Sequence, residues 1–137
     1  QGAGLLAARQ LGRARRDLGV EFAQRTAIGP VMEIDAELAA RIGSAAATDV
    51  VQIAREALSN VAKHAHASAC RVALWREAES VLLEIADDGR GMNVPDLSST
   101  GLGLTNMRTR AATLGGRLTV SRGLADRGTA LRVSFPL

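Results

Sequence analysis

The sequence predicts an α+β fold, a two-layer α/β sandwich with one mostly antiparallel sheet and helices on one face. Three observations carry this expectation. Apolar residues recur at helical spacing in three places, short apolar runs form two hairpin-like pairs, and a glycine-rich segment lies between those pairs. At 137 residues the chain has the size of one domain, and folding at that size buries roughly two thirds of the unfolded surface.

The elements follow in order. Over residues 5–25, Leu11, Leu18 and Phe22 stand among Arg9, Arg13, Arg15 and Arg16, a helical pattern with a basic, solvated face. Gly29 and Pro30 end it, and Val31-Met32-Glu33-Ile34-Asp35 alternates like a short strand. A long helix is expected over residues 48–65, with Thr48 as N-cap and Asp49 in the first turn. Its residues Val50, Val51, Ala54, Ala57, Leu58 and Val61 share the side that faces a core.

Residues 70–75 and 81–86, joined through the polar stretch 76–80, read as an antiparallel hairpin. The glycine-rich stretch 89–103 follows, and then Leu104, Met107, Ala111 and Leu114 mark one face of another helix, stopped by Gly115-Gly116. Residues 117–121 and 129–135 close the fold as a second hairpin.

Composition narrows the function classes. The hydrophobic fraction of 47% rests on Ala, Leu and Val, with two Phe, one Trp and no Tyr, a poor basis for stacking nucleic-acid bases. The net charge of only +3 suits a polyphosphate ligand as well as a nucleic acid, and it is the poor aromatic content that leaves no direct nucleic-acid partner expected. The single cysteine, Cys70, lies in an apolar run and is expected to be a core or strand residue in a reducing, cytoplasmic setting. No apolar run approaches the ~20 residues of a membrane span.

Four short segments carry chemistry. Glu56, Asn60 and Lys63 are spaced four and three apart on the long helix, which lines a carboxylate, an amide oxygen and an ammonium along one stripe. Such a stripe suits hydrated Mg²⁺ with attached phosphates, although an exposed helix face can look the same. Asp87-Asp88-Gly89-Arg90-Gly91 follows an apolar strand, where a carboxylate can accept a hydrogen bond from an exocyclic amine and glycines admit a ligand to the backbone. Gly101-Leu102-Gly103-Leu104 opens a helix whose free N–H groups attract phosphate. Gly128-Thr129 opens the last strand.

Together and in this order, the four segments resemble the nucleotide site of the GHKL ATPases, the Bergerat-fold superfamily. The run from Glu56 to Ala65 resembles the N box, Asp87-x-Gly89-x-Gly91 the first glycine box, Gly101 to Leu104 the second and Gly128-Thr129 the third. The segments Arg55 to Leu58, Lys63-His64-Ala65, Gly103 to Arg108 and Leu114-Gly115-Gly116 resemble one branch, the ATP-binding catalytic domains of bacterial two-component sensor histidine kinases. Partner response regulators in this branch usually bind DNA through a helix-turn-helix.

The resemblance implies ATP and Mg²⁺ as ligands. It implies that Asp87 takes the adenine amine, Asn60 ligates Mg²⁺, and Lys63 and His64 lie near the phosphates. Gly89, Gly91, Met92, Gly101, Leu102, Gly103, Leu104 and Thr129 complete the nucleotide site. Glu56 stands where some members hold a general base, and in a kinase it can orient the acceptor imidazole. The resemblance covers residues 27–137; residues 1–26 read as the tail of a preceding histidine and dimerisation domain or a linker helix, so homodimerisation is expected only through upstream sequence.

Two departures from the family pattern stand out. The lid over residues 92–100 holds no Phe. No acceptor-histidine motif is present: His64 lies in the N box, and His66 precedes Ala67 rather than an acidic residue, which makes His66 an expected surface or loop residue. The implied activity is transfer of the γ-phosphoryl group to a histidine elsewhere. A GHKL serine kinase or ATPase and a non-catalytic regulatory nucleotide-binding module are the alternatives.

Overall fold

The computed structural model describes residues 2–91 and 103–137 and, within them, every side chain except those of residues 2–4, 64 and 65. Among the described residues, four α-helices cover one face of a five-stranded sheet. The helices are α1 (Gly2–Thr26), α2 (Ala36–Ile42), α3 (Ser44–Asn60) and α4 (Leu104–Thr113). The strands are β1 (Val31–Ile34), β2 (Cys70–Glu77), β3 (Ser80–Asp87), β4 (Arg117–Ser121) and β5 (Ala130–Pro136), in the order β1-β2-β3-β5-β4. β1 runs parallel to β2, and every other pairing is antiparallel.

Alternation sorts the strands into two faces. Val72 and Leu74 of β2, Val81, Leu83 and Ile85 of β3, Leu118 of β4, and Leu131, Val133 and Phe135 of β5 join the helices in one core. The opposite face is mixed, with Ala73, Leu82 and Ala86 beside charged residues. There Glu84 is 4% exposed and lies between two arginines, with Arg71 Nη2 and Arg132 Nη2 each 2.5 Å from one of its oxygens. Burial alone would raise the Glu84 carboxyl, but the hydrogen bonds and charges of Arg132 and Arg71 prevail and hold it below the usual range. Arg132 also stands over the Trp75 ring, 5.5 Å from its centroid.

The first helix has two faces as well. Arg9, Arg13, Arg15 and Arg16 are exposed, as the basic pattern requires. Ala7, Leu11, Ala14, Leu18 and Phe22 are buried in the same core as α3 and the sheet. Each large apolar side chain so buried contributes about 1.5–3 kcal/mol, so α1 packs on this core through Leu11, Leu18 and Phe22.

Four local features depart from the sequence expectations. Asp35 does not extend β1: its Oδ1 accepts the N–H groups of Glu37 (3.0 Å) and Leu38 (3.1 Å) and so starts α2. The long helix begins at Ser44 rather than Thr48, preceded by Gly43 at φ +85°. Thr48 therefore lies inside α3, where its hydroxyl donates to Ser44 O (3.1 Å) and accepts from Gln10 Nε2 (2.7 Å), and Asp49 pairs with Arg110 of α4 at 3.0 Å instead of capping. At the other end, Val61–Ala65 forms a π-helical turn rather than more α-helix. The β2–β3 hairpin is also tighter than expected, because pairing continues to Glu77↔Ser80 and leaves only Ala78 and Glu79 in the turn.

Candidate functional site

β3 is the middle strand, and its last residue, Asp87, is 1% exposed. Its Oδ1 accepts the N–H of Gly89 at 2.8 Å, and its own N–H donates to Thr129 O at 2.9 Å. Burial pushes the Asp87 carboxyl above the usual range, hydrogen bonding to it from the Gly89 and Thr129 backbone pulls it back part of the way, and the adjacent Asp88 charge raises it again. The result is a desolvated carboxylate at the mouth of the sheet, with strong accepting power for a ligand N–H.

The glycine segments close around it. Gly128 has φ +68°, and a Cβ there would come 2.5 Å from Asp87 Oδ1 and 2.6 Å from Gly89 N; only glycine leaves Asp87 undisturbed. A Cβ on Gly91 would lie 3.2 Å from Gly128 O, so the first and third boxes touch. Thr129 is buried beside them.

The N box meets the second box in the same way. Glu56, half-buried on α3, lays its carboxylate on Gly103, the φ +69° residue that precedes α4. Glu56 also lines a cleft of about 490 Å³ between α3 and α4, with Gln52, Asn106 and Arg110. Leu104 points its side chain into the core, so only its backbone can meet a phosphate. Met92, Gly101 and Leu102 lie outside the described residues, as does the rest of the expected lid.

Asn60, the last residue of α3, is 7% exposed, whereas Lys63 is exposed on the π-helical turn. The predicted three-residue spacing assumed continuous α-helix, and the wider turn changes the angle between the two. The backbone of His64 lies in the same turn, and its side chain falls outside those described. His66 is exposed at φ +52°, the surface position expected of it. Cys70 is buried and pairs with Asp87 across the ladder; burial first, then Asp87 and Asp88, push its thiol up to about 12.

Two contributors were not singled out by sequence. Asp88 points away from Asp87 and accepts the N–H groups of Ser68 and Ala69 on Oδ1, both at 2.8 Å, and the Ser68 hydroxyl on Oδ2 at 2.5 Å. These bonds, the hydroxyl's first, hold its carboxyl down at about 2. Gly123 packs where a Cβ would overlap Asp87 O and stand 2.7 Å from Arg127 O and Thr129 O. Its only sequence signal was a glycine after the β4 run.

Asn60 offers one neutral oxygen, and among the described residues no group of three or more His, Cys, Asp or Glu side chains gathers into a metal site. That set fits Mg²⁺, which takes one or two protein oxygens and completes its shell with water and phosphate. The bare glycine backbones around Asp87 fit a flat base lying close to the chain.

The sheet and its helices define an α+β sandwich domain. A family model described as histidine kinase-, DNA gyrase B-, and HSP90-like ATPase matches residues 45–137. The chain belongs to this family. The signal transduction histidine-protein kinase/phosphatase UhpB of Salmonella typhimurium is 42% identical over 85 residues, which are 62% of this chain and 16% of that protein. The sensor protein VraS of Staphylococcus epidermidis is 32% identical over 130 residues, 94% of this chain and 36% of its own length. The chain thus spans well under half of these relatives.

Solved structures agree on the fold. The blue-light activated histidine kinase of Erythrobacter litoralis EL346 superposes with a TM-score of 0.72 at 23% identity, over 93% of this chain and 40% of that one. The ATP binding domain of PrrB from Mycobacterium tuberculosis gives 0.67 at 16% identity, over 94% and 92%.

Proposed function

We propose that this chain binds Mg-ATP and transfers the γ-phosphoryl group to a histidine on a separate dimerisation domain of a two-component sensor kinase. One observation carries the reading. Among the described residues, the buried polar side chains are Asn60, Glu84, Asp87 and Thr129, and all but Glu84 belong to the motif segments. Polar side chains are seldom buried because each needs hydrogen-bond partners, so their concentration in three of the four boxes marks these segments as a built polar site and supports the reading. The name of UhpB, a histidine-protein kinase/phosphatase, supports the kinase assignment, and that of VraS supports a sensor protein.

In this reading Asp87 accepts a hydrogen bond from the adenine amine, and Gly89, Gly91 and Thr129 line the base. The Asn60 amide oxygen ligates the metal. Mg²⁺, when bound, neutralises charge on the phosphate oxygens. Lys63 and His64 lie near the phosphates, and Met92, Gly101, Leu102, Gly103 and Leu104 form the lid and the phosphate-facing helix start. Glu56 orients the acceptor imidazole and takes the proton it loses as the nitrogen–phosphorus bond forms and ADP departs. Transfer of this kind relies on positioning and charge stabilisation. Residues 27–137 hold the site, and residues 1–26 lead to the upstream dimerisation segment through which the protein pairs. A response regulator, of the DNA-binding helix-turn-helix type, receives the phosphoryl group next.

The test uses γ-labelled ATP. The isolated chain is expected to bind Mg-ATP by calorimetry and to stay unlabelled, whereas an added upstream segment gains an acid-labile, base-stable label. No binding, or stable label on His64 or His66, would overturn the proposal. Rapid release of inorganic phosphate with no labelled segment would favour a hydrolytic ATPase instead.

A further inference from the structure

We propose that Asp88 is a positioning residue for the nucleotide site: it ties the segment leaving the N box to the base-binding turn, and so sets where Lys63 and His64 stand relative to Asp87. The inference rests on the function proposed above.

The connection is short and specific. After the π-helical turn Val61–Ala65, the chain passes through His66 in the left-handed region and enters β2 at Cys70. Regular pairing of β2 with β3 ends at Cys70↔Asp87. One residue further, Asp88 continues the attachment with its side chain, taking Ser68 N, Ala69 N and Ser68 Oγ on its two oxygens. Its own N–H donates to Ala69 O at 3.2 Å. Four hydrogen bonds thus join residues 68–69 to the residue that follows Asp87.

Residue type matters here. Two N–H groups converge on one oxygen and a hydroxyl meets the other, which requires a short side chain with two polar atoms. Asn keeps that shape, since its oxygen can accept both N–H groups and its NH₂ can donate to the Ser68 hydroxyl. Ala keeps only the backbone bond. The two ends of the proposed site, Lys63 with His64 and Asp87 with Gly89, are therefore linked through Asp88 over a short path. Loosening that link shifts the phosphate end against the base end while leaving each end's own contacts in place.

The experiment compares AMP with ATP, both with Mg²⁺, by calorimetry on folded wild type, Asp88→Ala, Asp88→Asn and Ser68→Ala. The phosphates' share of affinity is read as the ratio of ATP to AMP association constants. Asp88→Ala is expected to bind AMP within about twofold of wild type but to lose about tenfold in the ratio, the scale of a lost charge-assisted anchor. Asp88→Asn should recover most of it. Ser68→Ala, missing one donor, should fall between and serves if Asp88→Ala does not fold. An unchanged ratio in the folded variants, a parallel loss of AMP and ATP binding, or an Asn variant as deficient as Ala would overturn the positioning role. Wild type that binds neither nucleotide would instead defeat the proposed function itself.

Discussion

The Glu56 carboxylate rests on the bare Cα of Gly103: a Cβ built there would overlap Oε1 and stand 2.5 Å from Cδ. This contact joins α3, which carries the N box, to the start of α4. Gly103 also has φ +69°, a conformation that disfavours any other residue by about 1–2 kcal/mol.

Gly103→Ala is therefore expected to lower stability by about 1–2 kcal/mol from backbone strain alone, with a further loss from displaced Glu56. Phosphotransfer should fall by about ten- to a hundredfold, since small misplacements of reacting groups have effects of that order. A double-mutant cycle isolates the contact: in a Glu56→Ala background, Gly103→Ala should be less damaging. Equal losses in both backgrounds would show that the two residues do not interact.

Asp87 should select adenine, because a carboxylate accepts from the adenine amine and faces an oxygen on guanine. A charged hydrogen bond is worth about 1.5–3 kcal/mol, so Asp87→Asn should weaken ATP binding by roughly tenfold or more. The raised Asp87 carboxyl adds a pH signature. Protonation removes the negative charge and weakens the acceptor, so the wild-type advantage over Asp87→Asn should fade on acidification while the pH is still above the ordinary carboxylate value. Equal affinity for GTP, or a pH-independent advantage, would contradict the assignment.

Glu84 and Asp88 respond to acid in the opposite sense. Both carboxyls are held below their ordinary values in the folded chain. Their stabilisation is present above the unfolded pKa and is lost as pH falls through the folded one. Glu84→Gln should reduce stability by about 1–3 kcal/mol at neutral pH, a range lowered for the half-exposed arginines. Denaturant melts of wild type and Glu84→Gln should converge as pH drops below about 4; a gap that stayed constant would rule out ionised Glu84 as its source.

What the sequence made legible follows from how directly residue type reports geometry. Asp87, Gly128 and Gly103 stood out through motif order and spacing, and in the fold they are a buried carboxylate and two close backbone approaches. The strand pairs were legible from alternation. By contrast, α2 is seven residues long and buries only Leu38 and Ala39, too little periodicity to notice, and Asp35 serves equally as strand end or helix cap. The π-helical turn at Val61–Ala65 has no residue signature. The apolar stripe of α1 was visible, but nothing local showed that Ala7 and Ala14 are the small residues through which it seats on the core. Asp88 was hidden because its partners, Ser68 and Ala69, lie about twenty residues away.

The measurement that bears most directly on the central claim is label transfer from γ-labelled ATP with the acceptor segment tethered upstream, in wild type and in Asn60→Ala. Tethering brings the acceptor to an effective concentration in about the millimolar range, and melting curves establish that both proteins are folded. The account predicts acid-labile, base-stable label on the tethered histidine of wild type and none above background in Asn60→Ala. Full labelling in folded Asn60→Ala, or label on His64 or His66 instead of the tethered segment, would contradict it.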